Sequence, residues 1–83
     1  MMRVLQEVER RVRVDVNRRS IKSYLDARFG LESKPLQDRA ETIMELDLLE
    51  DLLRNLYRTD NHKVAEELVE AAIDEQQQIT NME

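Results

Sequence analysis

The sequence has one glycine and one proline in 83 residues, so few positions in it interrupt a helix. Leu, Glu, Arg and Ala, which favour helix, are common throughout the chain. Cysteine is absent, which excludes disulfides, thiolate metal sites and a cysteine nucleophile, and leaves the burial of apolar side chains to stabilise the fold. We therefore predict an all-α protein.

A chain of this length is expected to form a single domain with a small core. It buries only about 60% of the surface that its unfolded form exposes, so a second chain would stabilise it. We predict a long N-terminal helix and two or three shorter helices, in a bundle that dimerisation completes. No apolar run approaches the roughly 18 residues of a membrane span and the first residues lack the apolar core of a signal peptide, so we expect a cytoplasmic protein.

Residues 1–29 are predicted to form one long basic helix with two apolar faces. One stripe contains Val4, Leu5, Val8, Val12 and Val16. Ile21, Leu25 and Phe29 lie on roughly the opposite face, so the helix either breaks near residue 17 or stays whole and contacts two neighbours. A whole helix of about 28 residues is about 42 Å long, more than a monomer of this size can cover. Its exposed half would need a partner, which favours a homodimer.

The segment 12–16 has a second interpretation, because its valines alternate with charged residues as they do in a β-strand. No other segment resembles a strand that could pair with it, and an isolated strand leaves its backbone groups unpaired. We therefore prefer the helix.

The only glycine is expected to end the long helix, with Gly30 in the left-handed conformation and Leu31 folding back on the last turn. Ser33 is expected to cap the next helix, with Pro35 in its first turn. The shorter helices are predicted at residues 34–46, 48–58 and 61–77, and the polar tail 78–83 is expected to fray.

The charge of the chain is unevenly distributed. From Arg3 to Arg28, eight basic residues stand against four acidic ones, a net charge of +4, and the remaining residues have five basic against fourteen acidic, or −9. The two parts should attract each other, within one chain or between two. We predict that the N-terminal helix of one chain packs against helix 48–58 or the last helix of another, with its arginines facing acids. The predicted interface residues are Val4, Leu5, Val8, Arg10, Arg11, Val12, Leu49, Leu52, Leu53 and Leu56.

The same basic helix could instead contact the phosphates of a nucleic acid. The candidate residues are Arg10, Arg11, Arg13, Arg18, Arg19 and Lys22. Acidic residues are interleaved with them, aromatic residues are few and the whole chain has a net charge of −5, so we rank this interpretation below protein binding. A third alternative is a small inhibitor, similar to an antitoxin, that caps a larger enzyme.

Residue types that carry out catalysis or bind metals do not form a recognisable set in this sequence. His62 is the only histidine, and its position after Asp60 and Asn61 is typical of an exposed turn. The acidic pairs occur among apolar stripe residues, as they do on the solvated side of amphipathic helices, and no Gly-rich phosphate loop is present. We predict a non-catalytic helical module for protein interaction or oligomerisation, with no cofactor and no metal.

Three segments resemble a known helical module: residues 24–30 (YLDARFG), 36–43 (LQDRAETI) and 48–53 (LLEDLL). They are similar to the C-terminal helical tail of the Rpn-type family of recombination-promoting, transposase-like nucleases, whose catalytic domain resembles restriction endonucleases. In that tail a leucine-rich helix ends in Arg-Phe-Gly, and a Leu-Glu-x-Leu-Leu helix follows a short one. The resemblance covers about residues 20–60 and implies a role in association or regulation. The family's catalytic domain would lie upstream, so the resemblance implies no catalytic residue here.

Overall fold

Four helices follow one another along the chain with short connections. A computed structural model describes the backbone of residues 2–82 and the side chains of residues 7–81. The helices are α1 (Met2–Phe29), α2 (Lys34–Ala40), α3 (Leu46–Leu56) and α4 (His62–Met82), with a 3-10 turn (Gly30–Ser33) between α1 and α2. No strand forms within residues 2–82, which confirms the all-α prediction.

The helix α1 runs without a break along its whole length. The two alternatives, a break near residue 17 and a strand over residues 12–16, are therefore wrong. The segment contains neither Gly nor Pro, and the Asn17 side chain donates a hydrogen bond to the Arg13 carbonyl oxygen at 2.8 Å without interrupting the helix. A helix of this length is about 42 Å long, close to the longest dimension of the molecule, 43 Å.

The end of α1 is fixed by a glycine and by a buried serine. Gly30 has a φ of 69°, the left-handed conformation predicted for it. Leu31 is 89% exposed and does not fold back on the last turn, as was expected. The Ser33 hydroxyl, expected to cap α2, instead lies 3.0 Å from the Leu25 carbonyl oxygen and 2.7 Å from that of Gly30. The Ser33 hydroxyl thus lies against carbonyl oxygens at the end of α1 and makes no side-chain cap to α2.

The helix α2 ends at Ala40, earlier than the predicted residue 46. The cause is Gln76 of α4, whose side-chain amide holds the connection to α3. Its Nε2 donates to the Thr42 carbonyl oxygen at 3.0 Å, and its Oε1 accepts from the backbone amides of Met44 (2.6 Å) and Glu45 (3.2 Å). These hydrogen bonds replace the ones that the backbone would form if α2 continued, and the chain turns into α3.

The helices α3 and α4 lie close to their predicted positions. The helix α3 covers Leu46–Leu56 where residues 48–58 were predicted. Asn61 caps α4, because its Oδ1 accepts from the backbone amides of Lys63 (2.8 Å) and Val64 (3.4 Å). The helix α4 continues to Met82, past the predicted end at residue 77, because the polar segment contains no residue that breaks a helix. Glu83 lies outside the described residues.

The core forms where α2 and α3 lie between α1 and α4, since α1 and α4 each contact both of these helices. The largest fully buried side chains are Ile21, Leu25, Ile43, Leu49, Leu56, Val69 and Ser33. They come from α1, the two connecting segments, α3 and α4 of one chain. These side chains are therefore covered without the help of a second chain.

Candidate interaction surface

Three exposed valines form a line along the outer face of α1. Val8, Val12 and Val16 are 52%, 54% and 53% exposed. Because they are four residues apart in a helix with 3.6 residues per turn, they lie in one stripe, which we call the valine stripe. Val14, on the opposite face, is 6% exposed and packs in the core with Ile21. The helix α1 thus buries one apolar face in its own chain and exposes the other.

Charged residues of both signs border the valine stripe. Glu9 and Arg13 lie along one edge, and Arg11 and Asp15 lie along the other, with the members of each pair four residues apart. All four are exposed, and Arg13 also contacts Glu50 of α3 at 3.5 Å. A partner surface of a single charge would therefore meet like charges at the border of the stripe.

The other interface candidates on α1 have different environments. Arg11 is exposed. Arg10 donates to Glu45 of the same chain at 3.1 Å, so an acid of its own chain takes the place of the partner's acid that was expected to face it. The side chains of Val4 and Leu5 lie outside the part of the chain that the structure describes.

The leucines of α3 that were predicted at the interface point into the core. Leu49, Leu52 and Leu56 are 0%, 3% and 0% exposed, and Leu53 is half-buried at the edge of the same cluster. The helix α3 packs against α1 and α4 of its own chain, so these side chains are not on the surface. Their placement between two chains therefore does not match the structure. The sequence pattern shows that α3 buries one face, but it does not show which helix covers that face.

The six candidates for nucleic-acid contact are partly neutralised within the chain. Three of them pair with acids of the segment 41–50: Arg10 with Glu45 (3.1 Å), Arg13 with Glu50 (3.5 Å) and Lys22 with Glu41 (3.1 Å). The hydrogen bond from Lys22 and its charge lower the pKa of Glu41 below its usual 4.5. Arg18 Nη1 lies 3.7 Å from Met44 Sδ, and Arg11 and Arg19 are exposed. Fewer positive charges are thus free for phosphates than the sequence implies.

The grooves in the surface formed by the described residues are open. One groove of about 520 Å³ lies between α1 and Met44 of the connection to α3, and is lined by Glu7, Arg10, Arg11, Val14, Asp15 and Met44. Met44 is 58% exposed. In the part of the chain that the structure describes, no three His, Cys, Asp or Glu side chains are grouped as metal ligands.

His62, expected in an exposed turn, is half-buried at the start of α4. Its ring packs edge-on against Phe29, with 5.1 Å between ring centroids, and its Nδ1 lies 3.1 Å from Glu66 Oε1. Its Nε2 is buried and has no hydrogen-bond partner among the described residues. Because the contact joins residues 33 positions apart in the chain, local sequence patterns give no sign of it.

Comparisons of the chain with protein-family models, with curated proteins and with solved structures found no match. Within residues 2–82, the helices lack an apolar stretch long enough to cross a bilayer.

Proposed function

We propose that the protein is a non-catalytic helical interaction module that forms a homodimer through the valine stripe of α1. The observation that supports this most directly is the exposure of Val8, Val12 and Val16, each more than half exposed on one face of a long helix. The core residues of the described region are covered within one chain. The monomer therefore folds without burying the valine stripe, and an exposed apolar stripe of this kind is suited to docking.

The other large exposed apolar side chains of the described region are scattered. They are Leu31, Met44, Tyr57, Val64 and Ile79, which come from the 3-10 turn, the two connections around α3 and the two ends of α4. Single exposed apolar residues are normal on soluble proteins, whereas a continuous line of three on one face is less common.

The energy available from the stripe sets the expected strength of the dimer. Each valine is already about half covered, so complete burial would contribute about 1 kcal/mol per side chain. The six valines of a dimer would contribute about 6 kcal/mol before the cost of association. We therefore expect a dimer whose population rises with protein concentration.

The resemblance to the helical tail of Rpn-type nucleases supports the same kind of function, because that tail implies association or regulation. The ion pairs of Arg10, Arg13 and Lys22 with acids of their own chain favour protein binding over nucleic-acid binding. In this proposal three basic residues of α1 hold it against the acidic segment 41–50.

The variant Val8→Asp with Val12→Asp tests the proposal. It places two charges per chain on the valine stripe but leaves the core unchanged, so we expect a folded monomer by sedimentation velocity and an unchanged helical circular dichroism spectrum. The matched control is Val64→Asp, which makes the same change at a 39% exposed valine of α4 and should leave the dimer intact. A double variant that still dimerises as the unmodified chain does would refute the proposal.

A further inference from the structure

Met44 is an exposed methionine whose sulfur contacts a half-buried arginine. It lies in the connection between α2 and α3, is 58% exposed, and its backbone amide donates to Gln76. Its Sδ lies 3.7 Å from Nη1 of Arg18, which comes from α1. A thioether sulfur is a weak hydrogen-bond acceptor, so Met44 offers little to a guanidinium that is partly withdrawn from water.

The other surroundings of Arg18 do not supply a strong acceptor in the part of the chain that the structure describes. Its Nε is buried and has no hydrogen-bond partner there. Asp15 and Glu41 line the same groove as Arg18, but the Glu41 carboxylate accepts from Lys22 at 3.1 Å. Because a buried donor without a partner destabilises the fold, Arg18 is suited to a stronger acceptor beside the sulfur of Met44.

We propose that Met44 is a modification site, which a peroxide oxidises to methionine sulfoxide, and that Arg18 binds the added oxygen. With hydrogen peroxide, the lone pair of the sulfur forms an S–O bond to one oxygen while the O–O bond breaks. The other oxygen leaves as water after it takes up the proton of the transferred oxygen. The sulfur is thereby oxidised and the peroxide reduced. The proposal does not depend on the homodimer.

Oxidation would turn a weak acceptor at this contact into a strong one. A sulfoxide oxygen is polar, and a hydrogen bond to it from a guanidinium is assisted by the positive charge. The flexible side chain of methionine allows this oxygen to lie within hydrogen-bond distance of Arg18 Nη1 or Nε. A neutral acceptor also suits the groove better than an added anion, which Asp15 and Glu41 would repel. The new bond would tie α1 to the connection between α2 and α3.

Thermal unfolding before and after treatment with hydrogen peroxide tests the proposal. We expect peptide mapping by mass spectrometry to place an added oxygen on Met44, and the Tm to rise by a few degrees. Met44→Leu is the matched control, because it retains the other three methionines of the chain, and its Tm should not rise. Arg18→Leu removes the donor and should abolish the rise as well.

Met44→Gln supplies a second measurement that needs no peroxide. The glutamine amide places a neutral oxygen acceptor on a side chain of similar length, so its Tm should exceed that of Met44→Leu. Adding Arg18→Leu to both variants should remove this difference.

Four results would overturn the proposal. The first is a Met44 that stays unoxidised while other methionines gain oxygen, and the second is a Tm that falls or stays the same once Met44 is oxidised. The third is an equal rise in Met44→Leu or Arg18→Leu, and the fourth is a Met44→Gln variant no more stable than Met44→Leu.

Discussion

Ser33 shows how one buried hydroxyl stabilises the junction between two helices. Its side chain is completely buried, lies within hydrogen-bond distance of the carbonyl oxygens of Leu25 and Gly30, and accepts from Gln37 Nε2 at 2.9 Å. Gln37 is itself only 3% exposed. A buried amide that loses its partner has no solvent to replace it, so the serine and the glutamine depend on each other.

The variant Ser33→Ala should therefore be destabilised by about 1 to 3 kcal/mol, because it leaves buried polar groups without partners. Urea denaturation followed by circular dichroism measures this as a lower transition midpoint. The matched control is Ser23→Ala, at an exposed position of α1, which should shift the midpoint much less. Equal midpoints for the two variants would contradict the role assigned to Ser33.

At the scale of the element, the length of α1 is set by where it stops. Gly30 has a φ of 69°, and a Cβ atom built on it would meet nothing within 4 Å. Glycine is therefore required here because of the backbone conformation, and not because a larger side chain would clash with neighbouring atoms. Residues other than glycine are destabilised in the left-handed region because their Cβ atom lies too close to the carbonyl oxygen.

Gly30→Ala should accordingly destabilise the fold by about 1 kcal/mol, and Gly30→Asn should cost less, because asparagine tolerates the left-handed conformation. Thermal denaturation of the two variants beside the unmodified chain measures the order. If alanine were as stable as glycine at this position, the turn would not depend on the positive φ.

The helices themselves could be predicted from the sequence, but several of their ends and neighbours could not. The glycine stop of α1 depends on residues next to each other in the chain, and the predicted left-handed conformation of Gly30 agrees with the structure. The early end of α2 depends on Gln76, more than thirty residues away. The leucines of α3 form a clear apolar stripe, yet a stripe on one helix does not identify its neighbour. Contacts between distant residues decided the end of α2 and the neighbours of α3.

The candidate surface was also only partly predictable. The spacing of Val8 and Val12 placed them on one face, and the structure shows that face exposed. Val16 belongs to the same stripe, although the predicted interface did not include it. The pairing of Arg10 with Glu45 could not be foreseen, because the charge asymmetry of the chain allowed attraction within one chain or between two.

At the scale of the whole molecule, the protein combines a small core that is covered within one chain with one long helix. Buried residues of the 3-10 turn, α2 and α3 cover one side of α1, while the valine stripe remains on the other side. A chain this short has little surplus stability, so burying a second face between two copies would stabilise the folded state as well as assemble it. Folding and association are therefore linked through a single helix.

The mass of the unmodified chain in solution tests this account most directly. Sedimentation equilibrium over a range of concentrations should show a mass that rises from that of one chain, 9.9 kDa, toward twice that value. A mass that stays at 9.9 kDa at every concentration would show that the valine stripe does not join two copies.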